Sequence, residues 1–324
     1  MINWGILGAG KIAGALVDGI REAGGGRVAA VGSRSIERAG AFAERFEIPA
    51  SYGSYEDLLA DDDIDAIYVA TRNDLHYQNT LDAIAAGKAV LCEKPFALNS
   101  REAAEMAAAA RTAGVFLMEA MWMRFIPAIV ELRDLVRSGA IGEVRTVAAD
   151  FGFQADAGAG HRLVEPSLGG GALLDLGVYP ISLAMLLLGE PSSIAASASI
   201  GASGVDEQVA VSMTFPGGAI SSAYATFLAD SPTEAHVVGT EGRVWVHPRF
   251  HNPERLDVIG ADGAVREIDL PMNGSGYRFE VAEVHRALLA GETESPMRTL
   301  DDSLAVMRVL DGVRDAIGLR YPGE

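Results

Sequence analysis

Residues 2–13 read Ile2-Asn3-Trp4-Gly5-Ile6-Leu7-Gly8-Ala9-Gly10-Lys11-Ile12-Ala13. An apolar strand over residues 3–7 breaks at two glycines and passes into a helical pattern over 11–23. The break has the form G-x-G-x-x-A. Its first glycine permits a tight turn, and its second lets the backbone approach a pyrophosphate. Its small third residue lets helix and strand pack closely. The helix start beyond it offers unpaired N–H groups and a partial positive charge. Such a turn means little alone. Here it follows a strand, opens a helix and begins a βαβ unit, so it predicts a dinucleotide site built on Gly8, Gly10, Lys11 and Ile12.

Working outward, strands are predicted at 27–31, 66–70, 89–91 and 115–118. Helical patterns lie at 36–46, 55–60, 75–86 and 101–113. Ser54 with Asp57 has the spacing of a capping box, and Asn99 or Ser100 can cap the next helix. Gly24, Gly87 and Gly114 stand where helices stop. This alternation predicts an α/β Rossmann domain with a parallel sheet over residues 1–120.

Beyond residue 120 the texture changes. A helix is predicted at 127–138 and a strand at 143–153. A loop rich in Gly and Ala follows to 170, and then a helix over 171–188. Period-two alternation from 191 to 269 predicts an open, mostly antiparallel sheet. Helices at 277–290 and 300–317 close the chain. Residues 121–324 are therefore expected to form an α+β domain for substrate binding and oligomerisation, whose C-terminal helix can pack back on the first domain.

The chain has 324 residues, 49% hydrophobic and 22% charged, with a net charge of −18. That acidity repels phosphate backbones, so nucleic acid is not an expected partner. A single cysteine, Cys92, sits in an apolar strand and reads as inert core, which needs no oxidising compartment. Residues 208–229 are apolar but broken by Pro216-Gly217-Gly218, so they read as a hairpin and not a membrane span. No leader pattern precedes the first strand, and a cytoplasmic protein without membrane contact is expected. CxxC and HExxH spacings are absent, and no metal site is expected.

The second strand ends in Val31-Gly32-Ser33-Arg34-Ser35. A site for NAD usually carries Asp or Glu there, for the ribose 2′-hydroxyl. Ser33 and Arg34, with Arg38 a turn later, suit a 2′-phosphate, so NADP(H) is favoured over NAD(H). The strand at 66–70 runs into Thr71, Asn73 and His76, at the end where such sheets hold ligands. His76 also fits a structural or capping role.

Glu93-Lys94-Pro95 ends the strand at 89–91 and aims Lys94 at the nicotinamide end of the cleft. Proline rigidifies that turn and can do so through a cis bond. A second cluster is Gly169-Gly170-Gly171-Ala172-Leu173-Leu174-Asp175-Leu176-Gly177-Val178-Tyr179-Pro180. Asp175 and Tyr179 share one helix face. Among apolar neighbours they are either buried and satisfied or face a cleft. Pro180 should loosen the helix before it.

Together the fingerprint, Glu93-Lys94-Pro95 and the Gly-Gly-Gly…Asp-x-Gly-x-Tyr segment resemble the glucose–fructose oxidoreductase/inositol dehydrogenase/MocA family over essentially the whole chain. Tyr179, where many members carry His, resembles the branch with dimeric dihydrodiol dehydrogenases, NADP-dependent xylose dehydrogenases and glucose–fructose oxidoreductase. The segments 52–59 and 119–125 are similar to that branch. Arg72 departs from it, standing where proline is common.

The resemblance implies an oxidoreductase that moves hydride between nicotinamide and a carbinol or carbonyl carbon of a small sugar, polyol or trans-dihydrodiol. It implies Tyr179 as acid/base, Lys94 lowering its titration, and Asp175 binding a substrate hydroxyl or orienting Lys94. Glu93 and Lys94 border the cofactor. Trp122, Arg124, Phe153 and Arg162 are the expected substrate contacts. Two other functions fit the same site: a nucleotide-binding redox or sugar sensor without turnover, and an enzyme using retained NAD(P) for net hydrolysis or isomerisation. Dimers or higher homo-oligomers through the C-terminal sheet are implied as well.

Overall fold

The computed structural model describes residues 1–158 and 160–322. The last two residues of the expected second domain therefore lie outside the described residues. The chain forms two compact units, one of residues 1–122 and 273–304, the other of 123–272 and 305–324.

The first unit is a parallel sheet of β1 (Ile2–Leu7), β2 (Gly26–Gly32), β3 (Ala50–Tyr52), β4 (Ala66–Val69), β5 (Ala89–Glu93) and β6 (Leu117–Ala120). Its strand order is β3-β2-β1-β4-β5-β6. The order reverses between β1 and β4, and the crevice outside their carboxyl ends is where such sheets bind ligands. Every residue of β4, β5 and β6 is buried, as expected of strands covered on both faces. The helices are α1 (Lys11–Ala23), α2 (Ile36–Phe46), α3 (Tyr55–Leu59), α4 (His76–Ala85) and α5 (Ser100–Ala113). Their caps follow the predicted chemistry. Ser54 accepts from the Asp57 N–H at 3.0 Å, and Asn99 accepts from the Glu102 N–H at 3.0 Å. Strand β3 is an addition to the sequence expectation, and β6 starts two residues later than expected.

In the second unit α6 (Pro127–Arg137) leads into β7 (Val144–Gly152). The expected helix over 171–188 is in two parts. Residues 173–177 form a π-helical turn, and α7 (Val178–Leu188) continues it. Proline at position 180 cannot donate to the turn before it and crowds the preceding carbonyls, which accounts for the loosened turn. The segment Pro166–Leu188 has the length and apolarity of a membrane span, but 78% of its window is buried inside the protein. It is a core helix.

The remaining strands are β8 (Ser193–Ile200), β9 (Asp206–Thr214), β10 (Ile220–Thr226), β11 (Ala235–Gly239), β12 (Gly242–Val246), β13 (Arg255–Gly260) and β14 (Val265–Asp269). They form one sheet in the order β14-β13-β12-β11-β7-β10-β9-β8. It is mostly antiparallel, as expected, with one parallel pair, β7 with β10. The hairpin read in 208–229 is β9–β10. Val209, Val211, Met213, Ala223 and Ala225 point into the core. Their alternates Ala210, Ser212, Ser222 and Tyr224 are exposed. The chain then forms α8 (Tyr277–Leu289), which packs along α1 in the first unit. Helix α9 (Leu300–Ile317) begins in the first unit and ends in the second.

Candidate active site

The fingerprint turn is shaped by its glycines. Gly8 has φ 103°, and a Cβ there would lie 2.7 Å from the Ala70 carbonyl oxygen, so only glycine fits. Gly10 caps α1, and a Cβ there would meet nothing within 4 Å. No side chain caps α1 and no acidic residue sits in its first turn. The partial charge of the first N–H groups of α1 is therefore not cancelled by a side chain of the first turn or the cap. Lys11 is exposed and Ile12 half-buried beside them.

At the end of β2, Ser33 is buried, whereas Arg34 and Arg38 are exposed. Ser35 accepts from the Arg38 N–H at 3.2 Å and so fixes the start of α2. Among the described residues neither guanidinium has a salt-bridge partner. Two unpaired guanidiniums beyond β2, with no carboxylate at the strand end, leave room for an added anion.

The end of β4 is held by His76, which is 1% exposed. Its Nδ1 lies 2.8 Å from the Pro95 carbonyl and its Nε2 3.1 Å from that of Thr71. Burial lowers its pKa against those two contacts. The residue ties the loop after β4 to the loop after β5. Thr71 accepts from Asn79 at 3.0 Å, and Asn73 opens a short 3-10 turn into α4.

Glu93 ends β5, and the Lys94–Pro95 peptide is cis. Tyr68 donates to Glu93 Oε1, and the Lys94 N–H donates to Oε2 at 3.2 Å. Burial pushes the Glu93 carboxyl up to about 7, against the bond from Tyr68 and the charge of Lys94. Glu280 of α8 is wholly buried, and neither of its oxygens has a hydrogen-bond partner among the described residues. Burial, reinforced by Glu93, raises its pKa far above the usual range. A buried carboxyl without partners holds its proton, because ionising it there costs several kcal/mol. Trp122 stacks on Tyr277, with ring centroids 4.5 Å apart.

In the second unit Asp175 and Tyr179 are both buried. Arg162 grips Asp175 with two bonds, at 2.8 and 3.2 Å. The Tyr179 ring lies 5.4 Å from the ring of Phe151 and 5.4 Å from that of His251. Phe151 and His251 stack at 4.4 Å. A phenol edged by two aromatic planes can hold a proton beside a cyclic substrate face. Phe153 and Arg124 are half-buried.

Among the expected site residues, Lys94 and the cofactor residues fall in the first unit. Asp175, Tyr179, Arg124, Phe153 and Arg162 fall in the second, and Trp122 ends the first stretch of the first unit. Sequence reasoning missed Tyr68, Glu280, Tyr277 and His251. For Glu280 a signal existed, since it stands one turn before Val284 on the face that α8 buries. His251 carried none, because it lies in a turn without periodicity.

The chain is similar to known oxidoreductases over nearly its whole length. A family model described as an oxidoreductase family with NAD-binding Rossmann fold matches residues 2–121. A GFO/IDH/MocA C-terminal domain matches residues 129–245. Trans-1,2-dihydrobenzene-1,2-diol dehydrogenase of Danio rerio is 40% identical over 99% of this chain and 98% of its own. The aldose-aldose oxidoreductase of Caulobacter crescentus superposes with a TM-score of 0.88 at 29% identity, covering 97% of both chains. A 3-ketoreductase from Actinomadura kijaniata, solved with NADP, gives 0.87 at 29% identity over 98% of both.

Proposed function

The chain belongs to the GFO/IDH/MocA oxidoreductase family, and from that premise we propose that it is an NADP(H)-dependent dehydrogenase or reductase of cyclic hydroxylated substrates: trans-dihydrodiols, sugars or polyols. The observation that carries this reading is Tyr179, a buried phenol on the helix face of Asp175, edged by the rings of Phe151 and His251.

The residues present fit a nicotinamide dinucleotide. The open N-terminus of α1 suits its pyrophosphate. Arg34 and Arg38 suit a 2′-phosphate, which supports NADP(H) over NAD(H). The nicotinamide, when bound, supplies the hydride donor or acceptor. Tyr179 takes the carbinol proton in oxidation and returns it in reduction. A phenol ordinarily titrates near 10, and a cation close to it would favour its ionised form. Asp175, held by Arg162, accepts from a substrate hydroxyl, and the aromatic rings exclude water from one side.

Self-association belongs to the same reading. The outer face of the second unit's sheet carries small residues with exposed Ile200, Ile220 and Tyr224. Small and apolar side chains on a flat sheet suit burial against a second copy. A net charge of −18 argues against nucleic acid as partner, and a single buried cysteine suits a cytoplasmic setting.

The test is NADP+ reduction, followed by nicotinamide absorbance, across trans-dihydrodiols, aldoses and inositols with NAD+ in parallel. Turnover of one class with preference for NADP+ supports the reading. No turnover beside tight retention of nucleotide overturns it.

A further inference from the structure

The helix that carries Asp175 and Tyr179 starts against a buried acid that the mechanism does not use. Asp206, the first residue of β9, has no exposed surface. The Leu173 N–H donates to its Oδ2 at 2.6 Å, within the π-helical turn that contains Asp175. Its Oδ1 has no hydrogen-bond partner among the described residues. It lies over Gly171, where a Cβ would come within 2.2 Å of it and where φ is 120°. The glycine therefore serves a purpose besides flexibility: it lets a carboxylate reach the helix start. The Tyr321 hydroxyl donates to the neighbouring Gly170 carbonyl at 2.6 Å and closes the far side of the turn.

Resting on the function proposed above, we propose that Asp206 is a positioning residue: by anchoring the Leu173 N–H it sets the start of the π turn, and through it the aim of Asp175 and Tyr179. A π turn is a rare local departure from the α-helical bond pattern, with i→i+5 bonds in place of i→i+4, and it occurs frequently at functional sites. An N–H to carboxylate bond is about twice as strong as one between neutral groups. Misplacing a reacting group by about 1 Å can cost roughly a hundredfold in rate. The anchor therefore acts at the turn that aims the reacting groups.

The anchor is also sensitive to pH. Burial pushes the Asp206 carboxyl up to about 7, against the Leu173 bond and the charge of Arg314. Arg314 of α9 is itself paired with Asp311 at 2.7 Å, and Tyr321 is the other polar group at this turn. Above pH 7 the bond to Leu173 is charge-assisted, and below it the acceptor is a neutral acid.

The test compares wild type with Asp206→Asn, which keeps an oxygen acceptor, and Asp206→Ala, which keeps none. The substrate is trans-1,2-dihydrobenzene-1,2-diol with NADP+, and NADPH binding is read separately by fluorescence. Expected are an unchanged NADPH Kd in both variants, a kcat loss of about a hundredfold in Asp206→Ala, and recovery of most of it in Asp206→Asn. As pH drops through about 7 the wild-type kcat should fall by the small factor that separates it from Asp206→Asn, and Asp206→Asn should lose that part of the acid limb. Melting curves across pH need no substrate. Relative to Asp206→Asn, the wild-type folding constant should fall about tenfold per pH unit as pH rises toward 7, then level off. A kcat of Asp206→Ala equal to wild type, an acid limb unchanged in Asp206→Asn, or parallel melting profiles would each overturn the inference. A wild type that binds no NADPH would instead overturn the proposed function, and the melting comparison would still decide the state of Asp206.

Discussion

The Arg162 guanidinium holds the Asp175 carboxylate at two points, Nη1 to Oδ1 at 2.8 Å and Nη2 to Oδ2 at 3.2 Å. The carboxylate is buried, with 10% of its side chain exposed, while 53% of the arginine side chain is in solvent. The pair therefore fixes the direction of Asp175 from outside. Replacing Arg162 with Leu should release it. Water screens the exposed partner, so the loss should be about 1 kcal/mol, roughly fivefold in kcat/KM. Arg162→Lys keeps the charge without the fork and should fall between. Steady-state kinetics with the diol check both variants, and the NADPH Kd should stay unchanged.

Tyr179→Phe keeps the ring against Phe151 and His251 and removes only the hydroxyl. Turnover should fall by about a hundredfold to ten-thousandfold, the range for a lost acid/base group. NADPH binding should be retained. Near-normal turnover in this variant would remove Tyr179 from the mechanism.

Arg34→Ala should raise the KM for NADP+ about tenfold to a hundredfold, the range for a lost bond to a charged group. The KM for NAD+ should hardly move, since NAD+ has no 2′-phosphate. Equal effects on the two cofactors would count against the assignment of Arg34 and Arg38.

The pair Glu93 and Glu280 predicts how stability varies with pH. Both carboxyls are raised by burial, Glu93 to about 7 and Glu280 well above the usual carboxylate range. An acid raised in the folded state stabilises fully below its unfolded pKa of about 4.3, and that contribution is lost as pH rises through the folded value. Wild type should therefore lose stability relative to Glu280→Gln between about pH 5 and pH 8. Thermal melting of both proteins over that range checks it, and parallel curves would show that Glu280 is not protonated.

The Phe151–His251 stack should select for ring-shaped substrates. His251→Ala removes one plane of the wall beside Tyr179. It should raise the KM for the diol by about threefold to tenfold, the worth of an aromatic contact. The effect on a flexible acyclic alcohol should be smaller, as paired KM measurements will show.

Much of this was legible because it was local. The turn at Gly8–Ala13 announces itself by composition and by its place between strand and helix. Ser54 and Asn99 declare the helix starts that follow them, each accepting from the N–H three residues ahead. Pro180 foretells the loosened turn before it, and the spacing of Asp175 and Tyr179 puts them on one face. What stayed hidden depends on contacts between distant residues. Strand β3 is three half-buried residues without alternation, and it exists because β2 offers it an edge. The parallel pairing of β7 with β10 joins segments some seventy residues apart in sequence, which no local pattern encodes. The grip of Arg162 on Asp175, the anchor from Asp206 and the rings around Tyr179 belong to the same class. Arg162 is expected from the sequence as a substrate contact, and its pairing with Asp175 is visible only in the fold.

Transfer of a labelled hydride decides whether the nicotinamide takes part in the reaction. The diol carrying deuterium at its carbinol carbons is incubated with the protein and NADP+, and the nucleotide is analysed by mass spectrometry and proton resonance. NADPH carrying one deuteron at nicotinamide C4 is expected, formed in step with substrate loss and slowed with Tyr179→Phe by the factor given above. Substrate consumed without label reaching the nicotinamide would contradict it.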